Sequence, residues 1–394
     1  MSRPSHMDTF RIALAAAVAA GLGVVVSPSA LAASPPAWRV SFRGASSTFI
    51  DDVAAVGPQR AWAAGRRVTK RFDPRNGGYF NAPVLRRWDG RTWTAVPTPA
   101  GPKGFPLREL SLVEASSPGN VWTAGTATSP TGDLSSADRS VLSRWDGGRW
   151  RLMGSGRTTI LDLDLLGSRH AYIVGRNDRN GTRFFKHFQD GRWTSLPAPA
   201  GLREVSVRAP GDIWGIGSSG LLHWNGRTWR TVQPPKIKVP AAPTPGYGRV
   251  TVRLDEVLAT PKDGVWVAAG FQQGDWSQPG TVLLHLKGGT WRQTRLPKDV
   301  VQTLTGDGGN GFWAATYRET ITATPQGGDP YAYTILSIDT LRHTAGRLTR
   351  QNLTPTTTGF RWTALSGIPG TGSALAAGFN WVPSSSSVIF RYLR

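Results

Sequence analysis

An all-β fold made of repeated four-stranded antiparallel units is what the 394-residue sequence predicts, and three observations predict it. A hairpin-like stretch, VLRRWDGRTW at 84–93, returns as VLSRWDGGRW (141–150), FFKHFQDGRW (184–193), LLHWNGRTW (221–229) and VLLHLKGGTW (282–291), with a weaker copy ending at Leu348. Each copy follows another pair of apolar runs, seen first as IDDVAAVGPQRAWAAG at 50–65. The third observation is a mismatch in number, for seven such first pairs are present while the last repeat stops one strand short. Short strands recurring in fours between turn signals form the blades of a β-propeller, here with seven blades.

Within each unit the runs are named A to D. Run A is apolar and ends at a turn, as Gly57-Pro58 does in the first unit. Run B carries an aromatic residue followed by a small one, in the pairs Trp62/Gly65, Trp122/Gly125, Tyr172/Gly175, Trp214/Gly217, Trp266/Gly270, Trp313/Thr316 and Leu375/Gly378. Runs C and D flank Asp-Gly, Asn-Gly or Gly-Gly, residues that supply the positive φ angles of a tight hairpin. The last repeat has SVIFRYLR (387–394) as run C and no run D after it. AWRVSF (37–42), with Trp38 in the run D slot, is the strand expected to complete that blade and remove an open sheet edge.

Residues 1–32 address the chain rather than fold it. Arg3 and Arg11 flank a polar start, 12–26 are apolar, and Ala30-Leu31-Ala32 is a small-residue cleavage signal. The expectation is a signal peptide at 1–32, secretion to the extracellular space, and one propeller domain over 33–394 with no transmembrane segment after cleavage. Cysteine is absent, so burial and strand pairing must hold the secreted fold without disulfides. The mature length, roughly 52 residues for each of seven blades, suits that architecture.

Tryptophan recurs at the B, C and D slots, which assigns most of the seventeen to packing between blades. His187, His223 and His285 precede the run C aromatic slot, where other units have Arg87, Arg144, Arg342 and Arg391. A basic group in every copy reads as a cation–π partner for the neighbouring blade's ring, not as a catalytic or metal-binding set.

Two sets of candidate binding residues remain. The B–C connections 66–81, 126–140, 271–281, 316–334 and 379–386, together with D–A segment 234–253, are long and lie on one face. Binding residues concentrate on such loops. They carry Trp276, Tyr331, Tyr333, Trp381, Tyr79, Phe80 and Tyr247, near Arg66, Arg67, Lys70, Arg71 and Arg318, a composition that suits a sugar face or an acidic ligand. The second set is acidic and lies near the start of run A: Asp51, Asp52, Asp162, Asp164, Glu204, Asp255 and Glu256. These would line the channel mouth, either serving a ligand or satisfied by backbone amides.

The formal net charge of +21 favours anionic partners, among them envelope polymers and acidic polysaccharides. Another extracellular protein would also fit. Nucleic acid does not, because no RNA- or DNA-binding module is recognisable. No serine nucleophile elbow, zinc motif, phosphate-binding loop or dinucleotide fingerprint occurs, so no catalytic residue, metal or cofactor is assigned.

NVWTAG followed by RWDGRTWTAVPTP resembles secreted actinobacterial β-propellers of unassigned activity, and DGRTW and GGTW resemble a shortened Asp-box turn of sialidase-type propellers. The resemblance covers nearly all of 37–394 and implies fold more than chemistry, because the motif is structural. The functional expectation is a secreted, monomeric, non-catalytic protein recognising glycans or anionic envelope polymers on the long-loop face. The alternative is a glycoside hydrolase or polysaccharide lyase using the channel-mouth acids.

Overall fold

The computed structural model describes residues 37–73, 78–129, 138–242, 248–274, 276–323, 331–353, 360–380 and 386–393, all within one unit, Pro36–Arg394. The predicted signal segment lies outside them. Among the described residues there is no helix, and hence none long and apolar enough to cross a membrane.

The strands follow the sequence grammar closely. β1 (Ala37–Arg43) stands first, then β2 (Thr48–Gly57), β3 (Arg60–Asp73), β4 (Gly78–Trp88) and β5 (Trp93–Ala95). Next come β6 (Leu107–Ser117), β7 (Asn120–Ala127), β8 (Arg139–Trp145) and β9 (Trp150–Gly156), and then β10 (Thr158–Leu166), β11 (His170–Asn177), β12 (Arg183–Gln189) and β13 (Arg192–Leu196). β14 (Glu204–Ala209), β15 (Asp212–Gly217), β16 (Gly220–Trp224) and β17 (Trp229–Thr231) precede β18 (Val250–Thr260), β19 (Gly264–Gln273), β20 (Trp276–Lys287) and β21 (Thr290–Leu296). β22 (Asp299–Gly306), β23 (Phe312–Ala323), β24 (Tyr331–Thr344), β25 (Arg347–Asn352), β26 (Phe360–Ile368), β27 (Ser373–Asn380) and β28 (Ser386–Leu393) complete the chain.

Strands β6 to β25 form five separate four-stranded antiparallel sheets, each in sequence order. The other eight strands form one sheet, in which β2 to β5 and β26 to β28 meet at a parallel bridge between Thr48 and Ser386. β1 pairs antiparallel with β28, Trp38 opposite Tyr392, as the orphan N-terminal strand led one to expect. The first strands β2, β6, β10, β14, β18, β22 and β26 pack side by side in that order, and β26 packs back against β2.

Aromatic wedges hold adjacent sheets together. Trp62 of β3 meets Trp145 and Trp150 of the next sheet at 6.4 and 6.2 Å between ring centroids, and Trp122 meets Phe188 and Trp193 at 5.2 and 5.9 Å. Trp38 sits edge-on to Trp313 at 5.6 Å and donates its indole N–H to Thr340 Oγ1 at 2.9 Å, tying β1 to the sheet of β22 to β25.

The basic slot behaves differently from the sequence expectation. His187 stacks on Tyr172, His223 on Trp214, His285 on Trp266, and Arg342 lies over Trp313, each on the ring of its own sheet. Antiparallel register explains this, because it sets residue pairs such as Trp266 and His285 directly opposite one another. Arg391 over Trp88 and Arg144 over Phe188 of the next sheet are closer to the arrangement expected, although Arg144 also lies over Trp122 of its own sheet.

Two further differences concern turns and loops. At Asp89-Gly90 only the glycine has positive φ, 103°, and Asp89 Oδ1 accepts the N–H groups of Arg91 and Thr92 at 2.8 Å each. Asn225 caps its turn likewise, at 3.0 and 2.9 Å, so in these two turns the side chain contributes a bond, whereas Asp190-Gly191 and Gly288-Gly289 have positive φ at both residues as expected. The B–C connections are also largely strand. β3 runs to Asp73 and β4 starts at Gly78, while β19 and β20 are separated by two residues. Pairing satisfies backbone groups that an irregular loop would leave to water.

Candidate functional site

The first strand of each sheet bears alternating inward side chains, and in β2, β6, β10, β18, β22 and β26 a bulge lies at the start of the inward row. The register slips between Ile50 and Asp52, Leu110 and Leu112, Ile160 and Asp162, Leu254 and Glu256, Val301 and Thr303, and Trp362 and Ala364. A bulge re-aims the following side chain. It also brings a carbonyl against the neighbouring strand, where a Cβ on Gly65 would lie 1.9 Å from Phe49 O and one on Gly125 would lie 2.0 Å from Glu109 O. At Gly65 and Gly125 the absence of a side chain is thus required by the bulge of the inner strand.

Two inward rows result from this alternation. The first is Asp52, Leu112, Asp162, Glu204, Glu256, Thr303 and Ala364, and two residues deeper come Ala54, Glu114, Asp164, Ser206, Leu258, Thr305 and Ser366. All but Ala54 line one cavity of about 680 Å³, joined at the rim by Asp51, Arg203 and Asp255. Eight carboxyl groups therefore face a single space: Asp51, Asp52, Glu114, Asp162, Asp164, Glu204, Asp255 and Glu256. All seven acids proposed from sequence for the channel mouth are among them.

Most of these oxygens also latch one sheet to the next. Asp52 accepts the N–H of Val113 at 2.7 Å, Asp162 that of Val205 at 2.7 Å, Asp164 that of Val207 at 2.7 Å and Glu204 that of Val257 at 2.7 Å, while Glu256 accepts from Leu304 at 3.3 Å. Hydroxyls serve likewise where acids are missing: Ser206 accepts from Ala259 N at 2.9 Å, and Ser366 accepts from Ala55 N at 3.0 Å, joining β26 to β2. Inner strands of neighbouring sheets are too far apart for ladder bonding, so side chains carry the bonds across. At the rim, Asp51 is paired with Arg66 at 2.6 Å and Asp255 with Arg253 at 2.6 Å.

Burial outweighs these bonds in setting proton affinity. Desolvation pushes Asp52 up to about 7 and Asp164 to about 7 despite their backbone donors, and raises Asp162 to about 6. Asp51 rises to about 6 for the same reason, with Arg66 opposing. Glu114 is held well above the usual carboxylate range by burial and by Asp52 and Asp164, and Glu204 and Glu256 are both raised by burial. Near neutrality this cavity therefore contains both protonated and ionised carboxyls. Among the described residues no group of three or more His, Asp or Glu side chains converges as a metal site would require.

The aromatic sector fares differently. Trp381 and Tyr247 lie outside the described residues, as do the side chains of Trp276 and Tyr331, whose backbones belong to β20 and β24. Tyr79 is exposed and meets exposed Phe72 edge-to-face at 6.2 Å across the β3–β4 hairpin, whereas Phe80 is buried. Arg66 and Arg318 are not free cations as expected: Arg66 is bound to Asp51, and Arg318 lies 3.4 Å from the buried carboxylate of Asp299. A guanidinium beside a buried acid is drawn there to neutralise it, a demand that sequence spacing does not reveal.

Sequence reasoning missed Glu114, along with the hydroxyls Ser206, Thr305 and Ser366. The available signal was the two-residue interval of Asp162 and Asp164, which Leu112 and Glu114 repeat. Trp362, which stood outside the repeat slots, proves to be buried in β26, donating to Thr316 O at 3.1 Å.

No protein-family model matches the sequence, and no curated protein matches it. Among solved structures, the chain is similar to the α-L-arabinanase of Penicillium chrysogenum complexed with arabinobiose, at 14% identity and TM-score 0.41, over 90% of this chain and 98% of that one. The α-L-arabinofuranosidase of Fusarium graminearum with arabinobiose gives 10% identity and TM-score 0.38, over 88% and 97%. A putative gluconolactonase gives 14% and 0.31, over 92% and 95%. At these scores the likenesses carry neither activity nor ligand to this chain.

Proposed function

We propose that this protein is a secreted seven-bladed β-propeller that binds a glycan, without transforming it, in its acid-lined central cavity. Seven blades follow if the eight-stranded sheet is two blades touching at the Thr48–Ser386 bridge, with β1 as the outer strand of the last. The single observation that carries the binding reading is the convergence of eight carboxyl groups from five consecutive inner strands on one space of about 680 Å³. Carboxyl groups in both protonation states donate to and accept from sugar hydroxyls, and a pocket of this size holds a small ligand. Such a lining repels polyanions, so a neutral or amino-bearing glycan fits the cavity better than the anionic envelope polymers suggested by net charge. Secretion rests on the N-terminal segment alone.

A glycan array probed with parent protein and with Glu204→Gln/Glu256→Gln tests the reading. Glutamine keeps an oxygen for the backbone N–H groups of Val257 and Leu304, so the fold is retained while the carboxyl's acidity is lost. Binding to a neutral or amino-bearing glycan that weakens tenfold or more, about 1.4 kcal/mol, is expected in the double variant. Unchanged binding would remove the cavity from consideration.

One observation favours a second reading as a glycoside hydrolase. Asp52 and Asp164, with proton affinities raised to about 7, have the property a general acid needs. Release of reducing sugar from a bound glycan by the parent protein, abolished by Asp52→Asn or Asp164→Asn, would establish that reading in place of the first.

A further inference from the structure

The sheets of β18 to β21 and β22 to β25 meet around a second cavity, of about 720 Å³, that arises from a break in the repeat. In four other sheets the third and fourth strands set two large rings opposite each other, as in Trp88/Trp93 at 5.5 Å, Trp145/Trp150 at 5.6 Å, Phe188/Trp193 at 5.2 Å and Trp224/Trp229 at 5.7 Å. The corresponding register pair in β24 and β25 is His343 and Leu348. Trp266 of the preceding sheet meets His343 at 4.6 Å and Phe312 of β23 at 4.7 Å, whereas Trp62 and Trp122 each meet both rings of such a pair. At Leu348 the ring that the fourth strand supplies elsewhere is missing, and Leu348 lines the opening.

The opening has a distinct chemistry. Leu283, Leu348 and the buried Trp266 form its apolar floor, and Lys262, Lys287 and Arg292 stand exposed at its edge. Asp263 is the one acid lining it, and its oxygens are already engaged by Lys287 Nζ at 2.8 Å and Trp266 Nε1 at 3.2 Å. His343 is buried, and its Nδ1 has no hydrogen-bond partner among the described residues; the nearest carboxylate oxygen, on Asp263, is 3.6 Å away. Burial holds this imidazole below its ordinary value, so it is neutral at pH 7 and carries one N–H. A buried polar atom without a partner, in a pocket with surplus positive charge, is a group that a polar ligand could meet.

We propose that this pocket binds a small anionic carbohydrate, one bearing a carboxylate or phosphate. Lys262 and Arg292 would hold the anion, the hydroxyls of Thr290 and Thr294 would meet sugar hydroxyls, and Leu348 would face the ring's apolar side. The inference is independent of the central cavity, whose charge is opposite.

Calorimetric titration with glucuronate, glucose 6-phosphate and glucose, at low and at high salt, tests it. Either anionic sugar is expected to bind roughly tenfold or more tightly than glucose, and to weaken as salt rises. A preference between the two identifies carboxylate or phosphate as the group held. Leu348→Trp, which restores the repeat's own ring, should abolish binding, and Lys262→Gln/Arg292→Gln, at exposed positions, should weaken it roughly tenfold. The proposal is overturned if none of the three sugars binds, if glucose binds as well as the anions, or if the Lys262→Gln/Arg292→Gln protein keeps full affinity. A folded Leu348→Trp protein that binds normally would overturn it as well.

Discussion

Asp52→Asn should change the protein's stability by an amount that depends on pH, most unfavourably in acid and least so at slightly alkaline pH. In the folded protein Asp52 holds its proton up to about pH 7, against an ordinary value of 3.8, because its cavity setting desolvates the charge. Between those values the folded chain binds a proton that the unfolded chain has released, so this group's contribution to stability is greatest in acid and falls as pH rises, levelling off above pH 7. From pH 5 to pH 8 two units of that window are crossed, about 3 kcal/mol at 1.36 kcal/mol per unit. Asp52 is half-buried beside a space that admits water, which reduces the figure to about 2 kcal/mol. Asparagine escapes the charge penalty but loses an acceptor. Oδ1 can still serve Val53 N, at 2.8 Å in the parent, while an amide NH2 confronts Val113 N, a loss of about 1–3 kcal/mol. The variant should therefore gain about 2 kcal/mol on the parent between pH 5 and pH 8, whatever the constant loss of the acceptor. Urea unfolding at the two pH values measures this directly. A variant-to-parent difference that stays constant with pH would refute the argument, since it would mean that Asp52 carries no raised proton affinity.

Other consequences are simpler to test. Because Asp51, Asp162, Asp164, Glu114, Glu204 and Glu256 shift in the same direction as Asp52, the parent protein should melt at a higher temperature at pH 5.5 than at pH 8, and a flat or rising profile would contradict the desolvated ring. Gly125→Ala, whose Cβ would lie 2.0 Å from Glu109 O, should destabilise by about 1–3 kcal/mol or more, while Gly57→Ala, with open space around it, should be near neutral by the same unfolding assay. Trp38→Ala should cost about 3–5 kcal/mol by removing a buried indole packed on Trp313 and Tyr392, and deletion of residues 37–43 more, because it strips β28 of its outer partner; thermal melts equal to the parent's would show that β1 is dispensable.

The inward acids serve as stitches between sheets and as the lining of the candidate site, and the two roles impose different requirements. A stitch requires an acceptor oxygen, which Ser206 and Ser366 supply without charge. The charge itself costs stability, because a carboxylate loses hydration that two backbone N–H groups do not replace. Five of the seven inner strands nonetheless use carboxyls, and this excess over the structural need is what makes the cavity a candidate site.

Much of the fold was legible in the chain itself. Hairpin grammar, the Trp62/Gly65 pairs and the orphan Trp38 fixed strand number, strand order and the pairing of β1 with β28, because turn residues and alternating burial act locally and repetition averages out their ambiguity. The run A acids could also be placed on inner strands from their position after each loop. What the sequence could not supply was contact between sheets. It did not reveal that Asp52 reaches Val113, or that Arg66 is spent on Asp51. Nor did it show that His285 stacks within its own sheet, or that His343 and Leu348 leave a space beside Trp266. Such contacts depend on distances between strands that no local propensity encodes, and on the desolvation that arises only when separate sheets close around the same volume.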